Sequence, residues 1–109
     1  MAQTITIKSS QVVGNVATGR YLDTGTVAAY KFVTGFKPRY VKVQNNTSGD
    51  YFEWYEGMAA DSATKCTGAT GVMTLVTSNG ITVANDGFTL GLDIDVNVTS
   101  EQVSFVAIA

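Results

Sequence analysis

The sequence predicts an all-β protein, an antiparallel β-sandwich or barrel with about eight short strands. Stretches rich in Val, Ile, Thr and aromatic residues alternate with turn residues, and the chain contains 11 Gly but only one Pro. No stretch has the i, i+3, i+4, i+7 apolar spacing of an amphipathic helix over three turns. The length of 109 residues indicates a single domain spanning 1–109.

The expected strands follow from side-chain alternation and from the turn residues between them. Val41 and Val43 alternate with polar neighbours and should point inward, as should Phe52 and Trp54 in the next strand. Asn79-Gly80 is typical of a tight hairpin turn. The strands are expected at residues 4–8, 27–34, 39–44, 51–56, 72–77, 81–83 and 102–108, with one more beginning at Phe88 and followed by an ordered loop.

Further expectations concern the connections and the last strand. Residues 1–26 are polar and rich in Gly after the first strand, which indicates an extended N-terminal arm or long loop, with room for one edge strand. Lys31 to Glu56 should form an antiparallel meander. Residues 57–71 are small and polar and predict a loop of about fifteen residues. The last strand, apolar on both faces, should lie in the middle of the sheet or under an interface.

The composition predicts no catalytic site, cofactor or metal. The chain has no His, so it lacks a Ser-His-Asp or Cys-His arrangement, and its single cysteine, Cys66, excludes a zinc site built from several Cys. Cys66 is expected to be a free thiol in a loop or in the core. No phosphate-binding glycine motif occurs. The sequence therefore favours a protein that binds rather than one that catalyses.

Asp93-x-Asp95-x-Asn97 resembles the beginning of a calcium loop, but Val98 stands where that loop needs Gly and Ser104 where it needs Glu. We therefore expect these three side chains to form a solvated polar face of a strand.

Charge is unevenly distributed along the chain. Residues 1–44 contain six basic residues and one acidic residue, a net charge of +5, whereas residues 45–109 contain one basic and eight acidic residues, a net charge of −7. If the halves segregate in space, the basic side of one copy can contact the acidic side of another. The alternative is that the charged side chains lie on opposite strands and are simply solvated, with no role in association.

The aromatic strand 51–56 has two interpretations. Phe52 and Trp54 belong to the core, and Tyr51 and Tyr55 form either a partly hydrated surface or a platform for a protein or a sugar. Lys37 and Arg39 lie among aromatic residues, as in some nucleic-acid sites, but the acidic pI of about 4.8 argues against nucleic acid.

No signal peptide and no membrane-spanning segment are expected, because the first residues lack a basic region followed by an apolar one and no run of about 18 apolar residues occurs. The low charged fraction of 15% suits a surface that contacts other protein.

Residues 27–109 resemble small virion structural proteins of tailed bacteriophages. The resemblance rests on Gly35-Phe36-Lys37-Pro38-Arg39-Tyr40-Val41-Lys42-Val43-Gln44-Asn45, Gly80-Ile81, Gly87-Phe88-Thr89-Leu90-Gly91, Asn97 and the closing Ser104-Phe105-Val106-Ala107. These turn glycines and core aromatic residues are features of a fold more than of an activity.

The resemblance implies a β-sandwich or jelly-roll module of the virion, made in the host cytoplasm, with no cofactor and no reaction. It implies a homo-oligomer, often a trimer, and the major capsid protein or other virion proteins as partners. The expected function is capsid decoration, in which the protein cements the head shell. The alternatives are a tail or tail-fibre module that binds a host glycan and a free carbohydrate-binding module. The expected interface residues are Arg20, Tyr21, Lys37, Arg39, Tyr51 and Tyr55.

Overall fold

A computed structural model of the chain describes residues 15–22, 24–25 and 28–109. The expected strand at residues 4–8 and most of the expected N-terminal arm lie outside the described residues. Within the described part the chain is all-β, with eight strands and no helix. The strands are β1 (Val16–Tyr21), β2 (Tyr30–Val33), β3 (Tyr40–Asn45), β4 (Tyr51–Tyr55), β5 (Ser62–Cys66), β6 (Met73–Ala84), β7 (Gly87–Leu90) and β8 (Val103–Ile108).

All eight strands belong to one antiparallel sheet in the order β1-β8-β3-β4-β5-β6-β7-β2. The sheet curls into a half-barrel, and the two-layer arrangement of a sandwich or jelly roll is not confirmed. The last strand, β8, pairs with both β1 and β3, so the prediction that it lies within the sheet is confirmed. The edge strand β1 falls inside the region expected to form an arm.

The core fills the concave side of the curled sheet. Val41 and Val43 of β3 and Phe52 of β4 are fully buried, as their alternation predicts, and Trp54 is 6% exposed. Phe88 and Leu90 of β7 complete the same cluster.

Aromatic rings bridge the gap between the two edges of the sheet. The ring of Tyr21 in β1 lies 4.2 Å from that of Tyr30 in β2, and Phe32 stacks 5.0 Å from Phe88. Phe105 of β8 contacts both Phe32 and Phe88, at 4.7 and 5.3 Å between ring centroids. Apolar packing therefore brings β1 and β2 together although they form no strand pair.

The segment 91–102 connects β7 to β8 and packs against the core. Its Val96 is fully buried, and the Asn97 side-chain amide donates to the carbonyls of Ala28 and Gly91, each at 3.0 Å. Asn45 anchors the same segment, since its amide donates to the Val96 carbonyl at 3.2 Å. The prediction of an ordered loop after the strand at Phe88 is thus confirmed.

The prediction of a hairpin turn at Asn79-Gly80 is wrong. Both residues lie inside the long strand β6, where residues 77–80 form an irregularity opposite the junction of Ser62 and Ala63. Asn79 adopts a φ of 58°, and a Cβ on Gly80 would lie 2.6 Å from the Ser62 carbonyl carbon. Asn and Gly are used here for a bulge with close backbone approach, which requires the same conformational freedom as a turn.

Two predicted connections are also wrong. β2 pairs with β7 and not with β3, so Lys31 to Glu56 is not a continuous meander, although β3 and β4 do form a hairpin. Residues 57–71 contain β5, which pairs with β4 and β6. Its residues Ser62, Ala63 and Thr64 are small, and their low hydrophobicity conceals a central strand.

Candidate protein-binding face

The convex side of the sheet presents three rows of side chains, which we call the outer face. The strand register places each row across neighbouring strands. The apolar row is Val16, Ile108, Tyr40 and Tyr55; the central row is Thr18, Val106, Lys42, Glu53, Thr64 and Leu75; the third row is Arg20, Ser104, Gln44, Tyr51, Cys66 and Met73. Short polar, aromatic and aliphatic residues thus predominate on this face, whereas the solvent-facing side of an antiparallel sheet ordinarily carries polar and charged residues.

Three of the four side chains in the apolar row are well exposed to solvent, and Tyr40 is half-buried between them. Val16 is 61% exposed, Tyr55 50% and Ile108 39%. The rings of Tyr40 and Tyr55 lie 5.2 Å apart at a tilted angle. At the far side of the outer face, Met73 and Leu75 of β6 are 57% and 64% exposed. Large apolar side chains at both ends of one sheet face mark a surface suited to protein contact.

Glu53, in the central row of the outer face, accepts hydrogen bonds from two tyrosines of the apolar row. The Tyr40 hydroxyl donates to the Glu53 carboxylate at 2.7 Å, and the Tyr55 hydroxyl reaches the same oxygen at 3.4 Å. Burial and the Glu53 hydrogen bond raise the pKa of Tyr40 well above its usual value, and the negative charge of Glu53 raises the pKa of Tyr55. Both phenols are therefore neutral at physiological pH and donate to the Glu53 carboxylate.

Lys42 lies beside Glu53 as its partner across β3 and β4. Its ammonium group lies 4.4 Å from the centre of the Tyr51 ring, a cation–π contact. A hydrogen bond to Cys66 raises the pKa of Tyr51. Cys66 is a buried free thiol, as predicted, and it lies in β5 beside Tyr51.

A second charged cluster lies on the other side of the sheet. The Lys65 ammonium contacts Asp95 at 2.6 Å and Asp93 at 3.0 Å. Burial lowers the pKa of Lys65, but the hydrogen bonds to Asp95 and Asp93 outweigh that effect and raise it. Asp93 also accepts from the backbone amides of Asp95 and Val96, at 2.8 and 3.1 Å. The cluster fastens the segment 91–102 to β5.

The interpretation of Asp93, Asp95 and Asn97 as a solvated strand face is wrong. They lie in a loop, and Asp93 and Asn97 are only 9% and 3% exposed. The ammonium of Lys65 lies where a cation would bind the two carboxylates. Within residues 15–22, 24–25 and 28–109, no group of three or more acidic or Cys side chains is arranged to hold a metal.

The predicted interface residues are divided between two sides of the sheet. Arg20, Tyr51 and Tyr55 lie on the outer face, and Arg39 lies at its border, where its guanidinium pairs with Glu56 at 3.3 Å. Tyr21 instead packs against the core aromatic residues, and Lys37 lies in the turn before β3.

Tyr40, Ile108 and Val16 also lie on this face but were not predicted as interface residues, because they become neighbours only when β8 pairs with β1 on one side and β3 on the other.

Among the described residues, the basic and acidic halves of the sequence do not segregate. Lys31 pairs with Asp86 at 2.9 Å, and Lys65 pairs with the two aspartates of the segment 91–102. Antiparallel pairing of β3 with β4 also sets Lys42 beside Glu53. Because the fold interleaves the two halves, the charge difference along the chain creates no simple dipole across these residues.

The outer face carries two shallow depressions. One, of about 420 Å³, is lined by Arg39, Tyr40, Tyr55, Glu56, Ile108 and Ala109. The other, of about 250 Å³, lies over β3 and β8 and includes Lys42, Gln44 and Ser104.

Comparison of the chain with known protein families, with curated proteins and with solved structures finds no significant match. In the part of the chain that the structure describes, no helix is long and apolar enough to cross a membrane.

Proposed function

We propose that the chain is a structural protein that acts by binding other protein subunits through its outer face. The observation that carries this proposal is the apolar row, in which Val16 of β1, Ile108 of β8 and Tyr55 of β4 are 61%, 39% and 50% exposed. Exposed tyrosine and aliphatic side chains with few charges are typical of the centre of a protein interface.

The assembly that we propose is the virion of a tailed bacteriophage, with the chain as a decoration protein of the head. This part rests on the resemblance of residues 27–109 to small phage structural proteins. A decoration protein needs only interfaces, repeated over many copies, so modest contacts suffice. The two-layer β-sandwich that the resemblance implies also remains a prediction, because one copy supplies a single curled sheet.

Fractionation of particles from cells that carry the gene tests this proposal. We expect the chain to sediment with purified particles and to be recovered from them in many copies by quantitative mass spectrometry. A variant with Tyr55→Ser and Ile108→Ser should remain in the soluble fraction. Ile94→Ser is the matched control, since Ile94 is 85% exposed on the segment 91–102, away from the outer face.

A chain that is absent from particles would contradict the proposal, and so would a Tyr55→Ser/Ile108→Ser variant that assembles as well as the Ile94→Ser control. Circular dichroism of each variant separates loss of assembly from loss of folding.

A glycan-binding function, as in a tail-fibre or carbohydrate-binding module, is the second candidate. The specific observation is the depression of about 420 Å³, where Tyr40 and Tyr55 offer ring faces and Arg39 and Glu56 offer polar groups. Such a platform suits stacking against a sugar ring. A glycan array probed with the chain and with Tyr55→Ala tests it: specific signals lost in the variant would favour this function, and an empty array would exclude the arrayed glycans.

A further inference from the structure

We infer that a second copy of this chain covers the outer face, about a twofold axis that runs parallel to the strands between β3 and β4. The inference deepens the proposed function and rests on it, because it names the partner of the same surface. The axis lies midway between two facing sheets and places β3 of each copy over β4 of the other.

The charges at the centre of the outer face select this axis. Lys42 and Glu53 lie directly opposite each other on β3 and β4. The proposed axis puts Lys42 of one copy over Glu53 of the second copy, and the reverse, so two opposite-charge contacts form. An axis perpendicular to the strands through the central row would instead put Lys42 over Lys42 and Glu53 over Glu53. Juxtaposed like charges destabilise an interface, which disfavours that alternative.

The flanking positions are compatible with the same axis. In the apolar row, Tyr40 would lie over Tyr55 of the second copy, and in the third row Gln44 would lie over Tyr51. On the adjacent strands, Val106 of β8 would lie over Thr64 of the second copy. None of these contacts buries a charge without a partner, which an interface must avoid.

The size of the face predicts weak association. Six strands spaced about 4.8 Å apart and about 17 Å long cover on the order of 500 Å² per copy, or about 1,000 Å² in total. This total is an upper limit, because the face is convex, and it lies at the lower end of specific interfaces. We therefore expect a dimer with a dissociation constant in the micromolar range.

A charge-reversal experiment tests the axis. Sedimentation of the full chain from about 1 to 500 μM should show a monomer–dimer equilibrium. Lys42→Glu faces Glu53 of the second copy in a homodimer, and Glu53→Lys faces Lys42, so each should weaken self-association at least about tenfold. An equimolar mixture of the two variants should form a heterodimer, and the double variant Lys42→Glu/Glu53→Lys should dimerise again.

Lys37→Glu makes the same charge change in an exposed turn away from the outer face and should dimerise like the parent chain. Urea midpoints of all variants monitor folding, because Glu53→Lys also removes the acceptor of Tyr40.

A monomer at every concentration would overturn the inference, as would a trimer or a dimer that the single reversals leave unchanged. The particle fractionation tests the proposed function separately. If the chain is a monomer but still sediments with particles, and the Tyr55→Ser/Ile108→Ser variant does not, the outer face binds another virion protein. The proposed function would then stand without the homodimer.

Discussion

Replacement of Lys65 by Met should destabilise the fold strongly, because it leaves two carboxylates without their cation. Removing one partner of a buried ion pair costs about 3–5 kcal/mol. Asp95 is 42% exposed at its side chain, so solvent screens its share, whereas Asp93 is 10% exposed. Two backbone amides continue to stabilise the Asp93 carboxylate. The expected loss in the free energy of unfolding is therefore about 2–3 kcal/mol.

Urea unfolding of the purified chain measures this loss, with Lys31→Met as the matched control. Lys31 pairs with Asp86, but both side chains are about half exposed, at 47% and 56%, so its removal should cost no more than about 1 kcal/mol. The double variant Lys65→Met/Asp93→Asn should recover part of the stability, because Asn keeps an acceptor for the two amides without the unpaired charge.

Equal effects of Lys65→Met and Lys31→Met would refute this reasoning. The Lys65 cluster would then be no more than a surface ion pair, and burial of Val96 with the hydrogen bonds of Asn45 and Asn97 would hold the segment 91–102 in place.

Three further changes test other parts of the fold. Gly91→Ala should cost about 1–3 kcal/mol in urea unfolding, because the new methyl group would lie 2.5–2.6 Å from backbone atoms of Asn79; Gly35→Ala, in open space at a φ of 85°, should cost only about 1 kcal/mol, and equal losses would contradict the packing argument. Asn45→Ala should lower the free energy of unfolding by about 2–3 kcal/mol, because the Val96 carbonyl and the amides of Thr47 and Ser48 lose their hydrogen-bond partner. A loss below about 0.5 kcal/mol would contradict that role. Stability should fall as pH rises above about 10, because the fold raises the pKa of Tyr40 and Lys65 above 10.0 and 10.5, so the unfolded chain releases protons that the folded chain keeps. Urea midpoints at pH 8 and 11 measure this fall, which should be smaller in Tyr40→Phe and in Lys65→Met; an unchanged slope in both would exclude these groups as its cause.

Local alternation was sufficient to predict the strands with one apolar face. β3 and β4 carry Val41, Val43, Phe52 and Trp54 at alternate positions, and a turn rich in Asn and Gly joins them, so both strands and their pairing followed from neighbouring residues. β8 was recognisable as an interior strand, paired on both sides, because it is apolar on both faces.

The remaining pairings depend on contacts between residues far apart in the sequence. β2 pairs with β7 more than fifty residues away, and its partner is determined by packing of Phe32 on Phe88, which no local pattern reveals. The chemistry that allows Asn79-Gly80 to form a bulge is the same that favours a hairpin, so local sequence does not distinguish them.

The candidate site was predictable only in part, for the same reason. Tyr51 and Tyr55 could be placed on the surface because they alternate with buried residues of their own strand. The apolar row as a whole could not be predicted, since Val16, Ile108 and Tyr40 become neighbours only when β8 inserts between β1 and β3. Tyr21 was predicted to be an interface residue, but it packs against Tyr30. That contact forms only when the whole sheet curls, so no local pattern could predict it.

Hydroxyl-radical footprinting of the outer face tests the central claim most directly. Tyr55 and Met73 lie at opposite ends of that face, 50% and 57% exposed, and Ile94 is 85% exposed outside it. Oxidation of each residue is measured by mass spectrometry in the dilute isolated chain and in purified particles. We predict that assembly protects Tyr55 and Met73 and leaves Ile94 reactive; unchanged oxidation of Tyr55 and Met73 in particles, with protection elsewhere, would contradict the assignment of the outer face as the binding surface.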